Sequence, residues 1–468
     1  MLASSATAMK GFANSLRMKD YSSTGINFDM TKCINCQSCV RACTNIAGQN
    51  VLKSLTVNGK SVVQTVSGKP LAETNCISCG QCTLGCPKFT IFEADAIKPV
   101  KEVLTKKDGR IAVCQIAPAI RINMAEALGV PAGTISTGKV VTALKLLGFD
   151  YVFDTNFAAD MTIVEEATEL VQRLTDKNAV LPMFTSCCPA WVNYVEKSDP
   201  SMIPHLSSCR SPMSMLSSVI KNVFPKKIGT TADKIYNVAI MPCTAKKDEI
   251  QRSQFTMKDG KQETDAVLTS RELAKMIKEA KINFKELPDT PCDNFYSEAS
   301  GGGAIFCATG GVMEAAVRSA YKFLTKKELA PIDLQDVRGV ASGVKLAEVD
   351  IAGTKVKVAV AHGIKNAMNL IKKIKSGDEQ FKDVKFIEVM ACPGGCVVGG
   401  GSPKAKTKKA VQARLNATYS IDKSSKHRTS QGNPQLLQLY KESFDGKFGG
   451  HVAHHLLHTH YKNRKVTA

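Results

Sequence analysis

The sequence predicts an α/β protein of two sheet-containing lobes, preceded by a small α+β module rich in cysteine. Three observations carry that prediction. Two copies of one short cysteine spacing lie near the N-terminus, in a chain with seventeen cysteines. Beyond about residue 105, apolar β-type runs alternate with helical patterns, as they do in α/β folds. Three of those runs, "VLPMF", "YNVAIM" and "VKFIEVM", end on a loop that carries cysteine. Loops at the carboxyl ends of strands are where such folds assemble their sites.

A chain of 468 residues has room for more than one domain. It has no apolar run of about eighteen residues, so no membrane span is expected. The 62 Lys and Arg against 42 Asp and Glu give a formal charge of +20, which favours an acidic partner or a polyanion. No aromatic-rich RNP segment, C₂H₂ spacing or helix-turn-helix pattern accompanies that charge. An acidic protein is therefore expected rather than nucleic acid, with a merely solvated basic surface as the plain alternative. The grouping of cysteines at metal-ligand spacings, without a signal-peptide apolar region, points to soft-metal chemistry in a reducing compartment.

Residues 1–19 of "MLASSATAMKGFANSLRMKD" are rich in Ser and Ala, contain Lys10, Arg17 and Lys19, and precede the first acidic residue, Asp20. That composition is expected of an organellar presequence; an inconsequential tail is the alternative. It resembles the short presequences of hydrogenosomal proteins, which implies a hydrogenosome or related mitochondrion-derived organelle, against a cytoplasmic location.

Residues 20–100 hold the doubled pattern. "CINCQSCVRAC" supplies Cys33, Cys36, Cys39 and Cys43, and "CISCGQCTLGCP" supplies Cys76, Cys79, Cys82 and Cys86. Both read C-x₂-C-x₂-C-x₃-C, the ligand run of bacterial two-cluster ferredoxins, whose fourth cysteine crosses to the other cluster. One [4Fe–4S] cluster is thus assigned to Cys33, Cys36, Cys39 and Cys86, the other to Cys76, Cys79, Cys82 and Cys43. Two zinc sites are the competing reading, disfavoured by eight cysteines in this doubled order. Two such clusters read as an electron wire.

The basic stretch from Lys98 to Arg110 reads as a turn-like boundary. An α/β region is expected at 105–400, in lobes of about 105–232 and 233–400, followed by a segment at 401–468. Its three cysteine loops carry Cys187 and Cys188, Cys243, and Cys392 with Cys396. Four thiolates drawn from three loops would enclose a cluster deeply. Adjacent thiols leave the backbone in different directions, so Cys187 and Cys188 do not both serve it comfortably. Between the loops, Thr162–Leu174 reads as a helix with an apolar face of Ile163, Ala167, Leu170 and Leu174, opened by a Thr162–Glu165 capping box. Glu166, Glu169 and Arg173 fall on another face, which by pattern alone reads as solvated with a Glu169–Arg173 pair.

"TSCCPAW", "MPCTAKKDE" and "EVMACPGGC" resemble the three signatures of [FeFe]-hydrogenases. The likeness extends through "LGFDYVFDTNFAADMTIVEEATEL" and "SEASGGGAIFCATGGVMEAA", and runs from about Met30 to the C-terminus. It implies an H-cluster, a [4Fe–4S] cube joined to a two-iron unit with CO, CN⁻ and amine-bearing dithiolate ligands, between the two lobes. The implied cube ligands are Cys188, Cys243, Cys392 and Cys396, with Cys396 bridging to the two-iron unit. Lys246 would donate to a cyanide, Met241 and Met390 would pack around the iron unit, and Pro118 and Ala119 would lie against its cyanide end. Cys187 becomes the proton carrier, followed by Glu166, Ser207 and Glu169, with Arg173 gating the exit. The resemblance further implies reversible 2 H⁺ + 2 e⁻ to H₂ chemistry, an acidic low-potential ferredoxin as partner, and maturation proteins that install the cluster. Two rivals are a non-catalytic iron–sulfur assembly relative and an electron-transfer subunit of a larger complex.

The remaining motifs imply less. "SGGGA" at 300–304 reads as a close backbone approach to the cluster pocket, Cys307 stands where relatives are expected to have Gly, and Cys114, Cys209 and Cys292 read as small buried hydrophobes. The histidines at 451, 454, 455, 458 and 460 make a structural metal conceivable, but read first as part of the wrapping tail.

Overall fold

The computed structural model describes residues 17–465, apart from 58, 107, 341, 342 and 352. The presequence expectation therefore lies almost wholly outside the described residues. In the first module, strands β1 (Lys19–Asp20), β2 (Ile26–Asp29) and β5 (Ile91–Glu93) form an antiparallel sheet, and β3 (Leu52–Val57) pairs with β4 (Lys60–Thr65). Its core of Ile26, Phe28, Val63 and Ile91 is small, and cysteines of both runs pack within or against it. Bound clusters are what such a small core needs to hold its loops.

The strands of the larger region are β6 (Ile111–Ile116), β7 (Tyr151–Asp154), β8 (Met183–Phe184), β9 (Ile235–Met241), β10 (Ala266–Thr269), β11 (Val344–Ile351), β12 (Thr354–His362) and β13 (Val384–Met390). They form two four-stranded sheets. One is wholly parallel in the order β10-β9-β6-β7; the other runs β11-β12-β13-β8, antiparallel only at its β11 edge. The consecutive division at about residue 232 is corrected by this order. β8 crosses early to the second sheet and β9 and β10 return to the first, so each lobe takes strands from both sides of the boundary. The apolar strands, buried on both faces, follow from helices covering both sides of a parallel sheet.

Two helix expectations also change. Residues 97–106 form a helix (Ile97–Lys106) rather than a turn, with Ile97, Val100 and Leu104 in the core of the first sheet. The helix expected from Thr162 begins seven residues earlier, spanning Thr155–Thr175. Its cap is Asp154, at the end of β7, whose carboxylate accepts from the Asn156 N–H. Thr162 sits mid-helix and donates back to the Ala158 carbonyl. Three buried apolar residues, Phe157, Ala158 and Met161, extend the packed face, and burial outweighs a local capping pattern.

The chain then wraps. The helix Lys408–Ser424 lies along Gly301–Ile305, the helix Pro434–Ser443 packs on the long helix, and His451–Leu457 packs on the helix Pro212–Asn222. The glycines of "SGGGA" serve this packing. A Cβ on Gly301 would lie 2.1 Å from Asp422 Oδ1, and one on Gly303 2.5 Å from the Asn156 carbonyl. The close approach is thus helix to helix, not backbone to cluster pocket. Among the described residues, no helix is long and apolar enough to cross a membrane.

Candidate metal centre

The carboxyl ends of β6, β7, β8, β9 and β13 converge on an internal cavity of about 80 Å³. Cys188, Cys243, Cys392 and Cys396 all line it, together with Met241, Met390, Pro118, Ala119 and Lys246. Local structure explains why the two adjacent thiols part. Thr185 continues the β8 ladder by donating its N–H to the Ile387 carbonyl. Pro189 then starts a helix, Pro189–Ser198, whose N-cap is Cys188. Trp191 fixes that helix, fully buried, with its Nε1 donating to the Thr185 carbonyl. Cys188 accepts from the Ala391 N–H at 3.4 Å. Cys187 also lines the cavity, but packs in an apolar set of Ala159, Ile163, Phe306 and Met390.

The third loop is held by features the sequence reading missed. Gly399, Gly400 and Gly401 thread between two cysteine loops: a Cβ on Gly399 would meet the Pro242 carbonyl at 2.1 Å, and one on Gly400 the Cys79 carbonyl at 2.1 Å. The triple glycine after Cys396 was the available signal. Buried Arg414 clamps the same loop, donating to the Val397 and Pro403 carbonyls while pairing with Glu126 at 2.7 Å. Arg121 donates to the Pro118 carbonyl and pairs with Asp154 at 2.6 Å. No local pattern announces either arginine. Gly400→Ala is expected to cost at least about 1–3 kcal/mol, the cost of overpacking where only backbone can yield. A lower melting temperature in the variant checks it.

Burial raises the pKa of Cys188, Cys243, Cys392 and Cys396, and for the last three their mutual repulsion adds to it, Cys243 reaching about 12. Four soft donors converging on an apolar cavity fit an iron–sulfur cube, whose metal charge removes the cost of their ionisation. Lys246 fits an anionic group on the same cofactor. Its Nζ reaches Ser211 Oγ at 2.6 Å and Glu249 at 2.5 Å, at the cavity wall. Ser211 and Glu249 were not foreseen.

A second cavity, of about 30 Å³, is lined by Cys43, Cys76, Cys79 and Cys82. The fourth cysteine of the first run has joined three of the second. Conversely, Cys86 and Cys33 are the thiols whose charge acts on Cys39, which burial raises to about 12. Cys79 lines both cavities, and Gln81 donates to Cys392 Sγ at 3.3 Å. The two sites therefore share a wall.

On the far side of Cys187, the helix residues are brought together with Ser207. Glu166 is fully buried, and among the described residues neither carboxylate oxygen has a well-formed hydrogen bond. Burial and the charge of Glu169 push its pKa to about 8, with Ser207 acting against them. Burial and the Glu166 charge raise the Cys187 thiol in turn. Ser207 Oγ donates to Glu169 Oε2 at 2.9 Å, and Arg173 holds Glu169 Oε1 at 2.7 Å. The Glu169–Arg173 pair exists, but not on a solvated face: Arg173 also donates to the Leu206 carbonyl at 2.8 Å.

Of the other cysteines, Cys114 is a core residue and Cys292 packs at its edge. Cys307 lines the main cavity, its Sγ 3.5 Å from the Ala304 carbonyl. Cys209 is buried 3.8 Å from Glu169.

Three family models cover most of the chain. They are a 4Fe-4S dicluster domain at residues 15–91, the C-terminal domain of the iron only hydrogenase large subunit at 110–400, and the iron hydrogenase small subunit at 408–464. Iron hydrogenase 1 of Clostridium pasteurianum is 44% identical over 448 residues, covering 95% of this chain and 77% of that protein. A cytosolic Fe-S cluster assembly factor of Danio rerio is 30% identical over 381 residues, 78% of this chain and 89% of its own. Among solved structures, apo [FeFe]-hydrogenase HydA1 from Chlamydomonas reinhardtii matches with a TM-score of 0.70 and 38% identity, over 79% of this chain and 99% of that one.

Proposed function

The chain belongs to the iron-only hydrogenases, oxidoreductases acting on hydrogen, and from that premise we propose that it interconverts protons and H₂ reversibly, exchanging electrons with an acidic, low-potential ferredoxin. The observation that carries this reading is the pair of cavities sharing Cys79. It links the dicluster module to the enclosed four-cysteine site through one residue.

When bound, the H-cluster supplies a Lewis-acidic, redox-active site at which hydrogen is made or split. Cys188, Cys243, Cys392 and Cys396 would hold its cube, Cys396 on the side of the two-iron unit, and Lys246 would face its anionic ligands. Met241, Met390, Pro118 and Ala119 exclude water from the same space. Cys187 hands protons between the cavity and Glu166, which is poised near neutrality for acid–base work. Ser207 bridges to Glu169, and Arg173 keeps that carboxylate in place. Cys43, Cys76, Cys79 and Cys82, and Cys33, Cys36, Cys39 and Cys86, would hold the two clusters that supply an electron path. Around the second set, Ile34, Ile46 and Phe89 are exposed beside exposed Lys32, Arg41 and Lys88. An acidic carrier fits that surface by charge and by apolar contact.

The assembly-factor reading is weaker: that relative is less similar, and the cavity keeps Cys187 and Lys246 in reach of the site. The organellar location is proposed on the basic, acid-poor first residues, with maturation proteins acting there.

The test is matured protein: CO and CN⁻ infrared bands with hydrogen production are expected, and bands absent after maturation would favour the assembly reading. Ferredoxin-linked turnover should also slow with rising salt, because steering is screened beyond about 8 Å at physiological ionic strength. Small dyes should show no such loss. Salt-independent transfer from ferredoxin would remove the electrostatic part of the proposal.

A further inference from the structure

Glu169 ends the relay against a guanidinium, and that leaves a chemical gap. Arg173 is a permanent donor that does not give up a proton at neutral pH. It can hold Glu169 in place, but it is a poor terminus for proton exchange. A second set of contacts fills the gap. Glu169 Oε2 also accepts from the Ser208 N–H at 2.9 Å and lies 3.1 Å from Ser208 Oγ. Ser208 Oγ lies 2.8 Å from His458 Nδ1, and His458 Nε2 lies 2.9 Å from Glu165 Oε2.

The fold fixes this imidazole with backbone contacts. Thr459 donates its N–H to the Ser208 carbonyl, Arg210 donates its N–H to the Leu457 carbonyl, and Arg210 Nε donates to the carbonyl of His458 itself. Glu165 is fully buried and accepts from the Tyr440 hydroxyl at 2.5 Å and the Gly449 N–H at 3.0 Å. On the solvent side, exposed His454 stacks on His458 with ring centroids 4.5 Å apart and 13° between planes.

We propose that His458 is the proton-holding terminus of the relay, exchanging protons with Glu169 across the Ser208 hydroxyl. The proposal rests on the hydrogenase reading and deepens it. In the inward direction the Nδ1–H bond of an imidazolium breaks as its proton moves to Ser208 Oγ. The Ser208 O–H breaks in the same event, and its proton forms the O–H of Glu169. No electron moves. The Nε2–H stays on the Glu165 carboxylate, which balances the imidazolium charge before transfer. A serine hydroxyl suits the bridge because it donates and accepts at once. Imidazole suits the terminus because its charge changes between about pH 5 and 8.

The groups that bear on His458 are Glu165 and, through Ser208, Glu169, with Cys209 Sγ 4.0 Å away. His454 faces it from its own helix, with His451 acting on His454 in turn, and Tyr440 and Arg210 reach it through Glu165 and the backbone. Two stacked imidazoles resist being charged together. A proton arriving on His454 therefore favours release from His458 inward.

The test uses matured enzyme with a dye as electron donor. His458→Gln keeps a hydrogen-bonding group beside Ser208 but cannot titrate. It should lower hydrogen production by about a hundredfold, the low end for a positioned proton carrier, with CO and CN⁻ bands unchanged. It should also change the pH dependence of the rate. Ser208→Ala should do the same. An independent readout is ¹⁵N-histidine NMR of protein lacking the two-iron unit, where one of the eight histidines should shift its titration when Glu169→Gln is introduced. Intact bands with an unchanged pH profile in His458→Gln, or no histidine responding to Glu169→Gln, would overturn the proposal even if the rate fell. Loss of bands and activity in the unsubstituted protein would instead overturn the hydrogenase reading.

Discussion

Cys187→Ser is expected to leave the cluster in place and to stop turnover, whereas Cys188→Ser should lose or damage the cluster itself. The two side chains start one residue apart and end in different surroundings. Cys188 caps the helix behind it and turns to Ala391 and the other ligand loops. Cys187 turns into the apolar set facing the long helix, where Glu166 acts on it. Serine keeps the shape of Cys187 and the four ligands, so CO and CN⁻ bands should survive maturation. A hydroxyl is a far weaker acid than a thiol, so the first proton step should fail, lowering the rate by on the order of 10²–10⁴-fold. Cys187→Asp should recover part of it. Near-normal hydrogen production by Cys187→Ser with a full cluster would make Cys187 a packing residue, and loss of the cluster would reverse the division between the two thiols.

Glu166→Gln should have an effect of similar size on turnover, again on the order of 10²–10⁴-fold, and a second effect on stability. The carboxyl is buried without a well-formed hydrogen bond, and burial raises it from 4.5 to about 8. In the folded protein it keeps its proton where the unfolded chain has lost it. Its stabilising contribution is therefore fully present below pH 4.5, falls as pH rises, and is lost once pH passes about 8. Glu388 adds to the same slope, because burial raises it to about 7 against the Met313 and Gly310 N–H groups it accepts from. Glutamine has no proton to lose. Glu166→Gln should thus melt at a higher temperature than the unsubstituted protein above pH 8, and the gap should close toward pH 4.5. Hydrogen production by the unsubstituted protein should also decline through about pH 8. Parallel melting curves across that range would show that Glu166 is ionised in the fold.

Both predictions rest on side chains that local patterns addressed unequally. The pattern around Glu166 and Glu169 read most simply as a solvated face, and only the likeness to a family turned it inward. The structure buries that face because the segment carrying Pro204, Leu206, Ser207 and Ser208 closes over it. The Thr162–Glu165 pair read as a cap for the same reason: within a few residues, a threonine and a glutamate three apart look alike at a helix start or in its middle. What decides is the end of β7, where Asp154 turns the chain.

The chemistry of the centre is encoded locally. Ligands within a C-x₂-C-x₂-C-x₃-C run are set by covalent spacing, and apolar runs followed by cysteine loops put thiols at strand ends whatever the rest of the chain does. How distant pieces meet is set by long-range packing. It sent β8 to one sheet and returned β9 to the other, drew Gly400 against the Cys79 loop, and set Glu165 not as a cap but as the partner of His458. Ser208 and His458 are 250 residues apart. No local periodicity encodes such a pair, because its 2.8 Å separation depends on every helix and strand packed between its two ends.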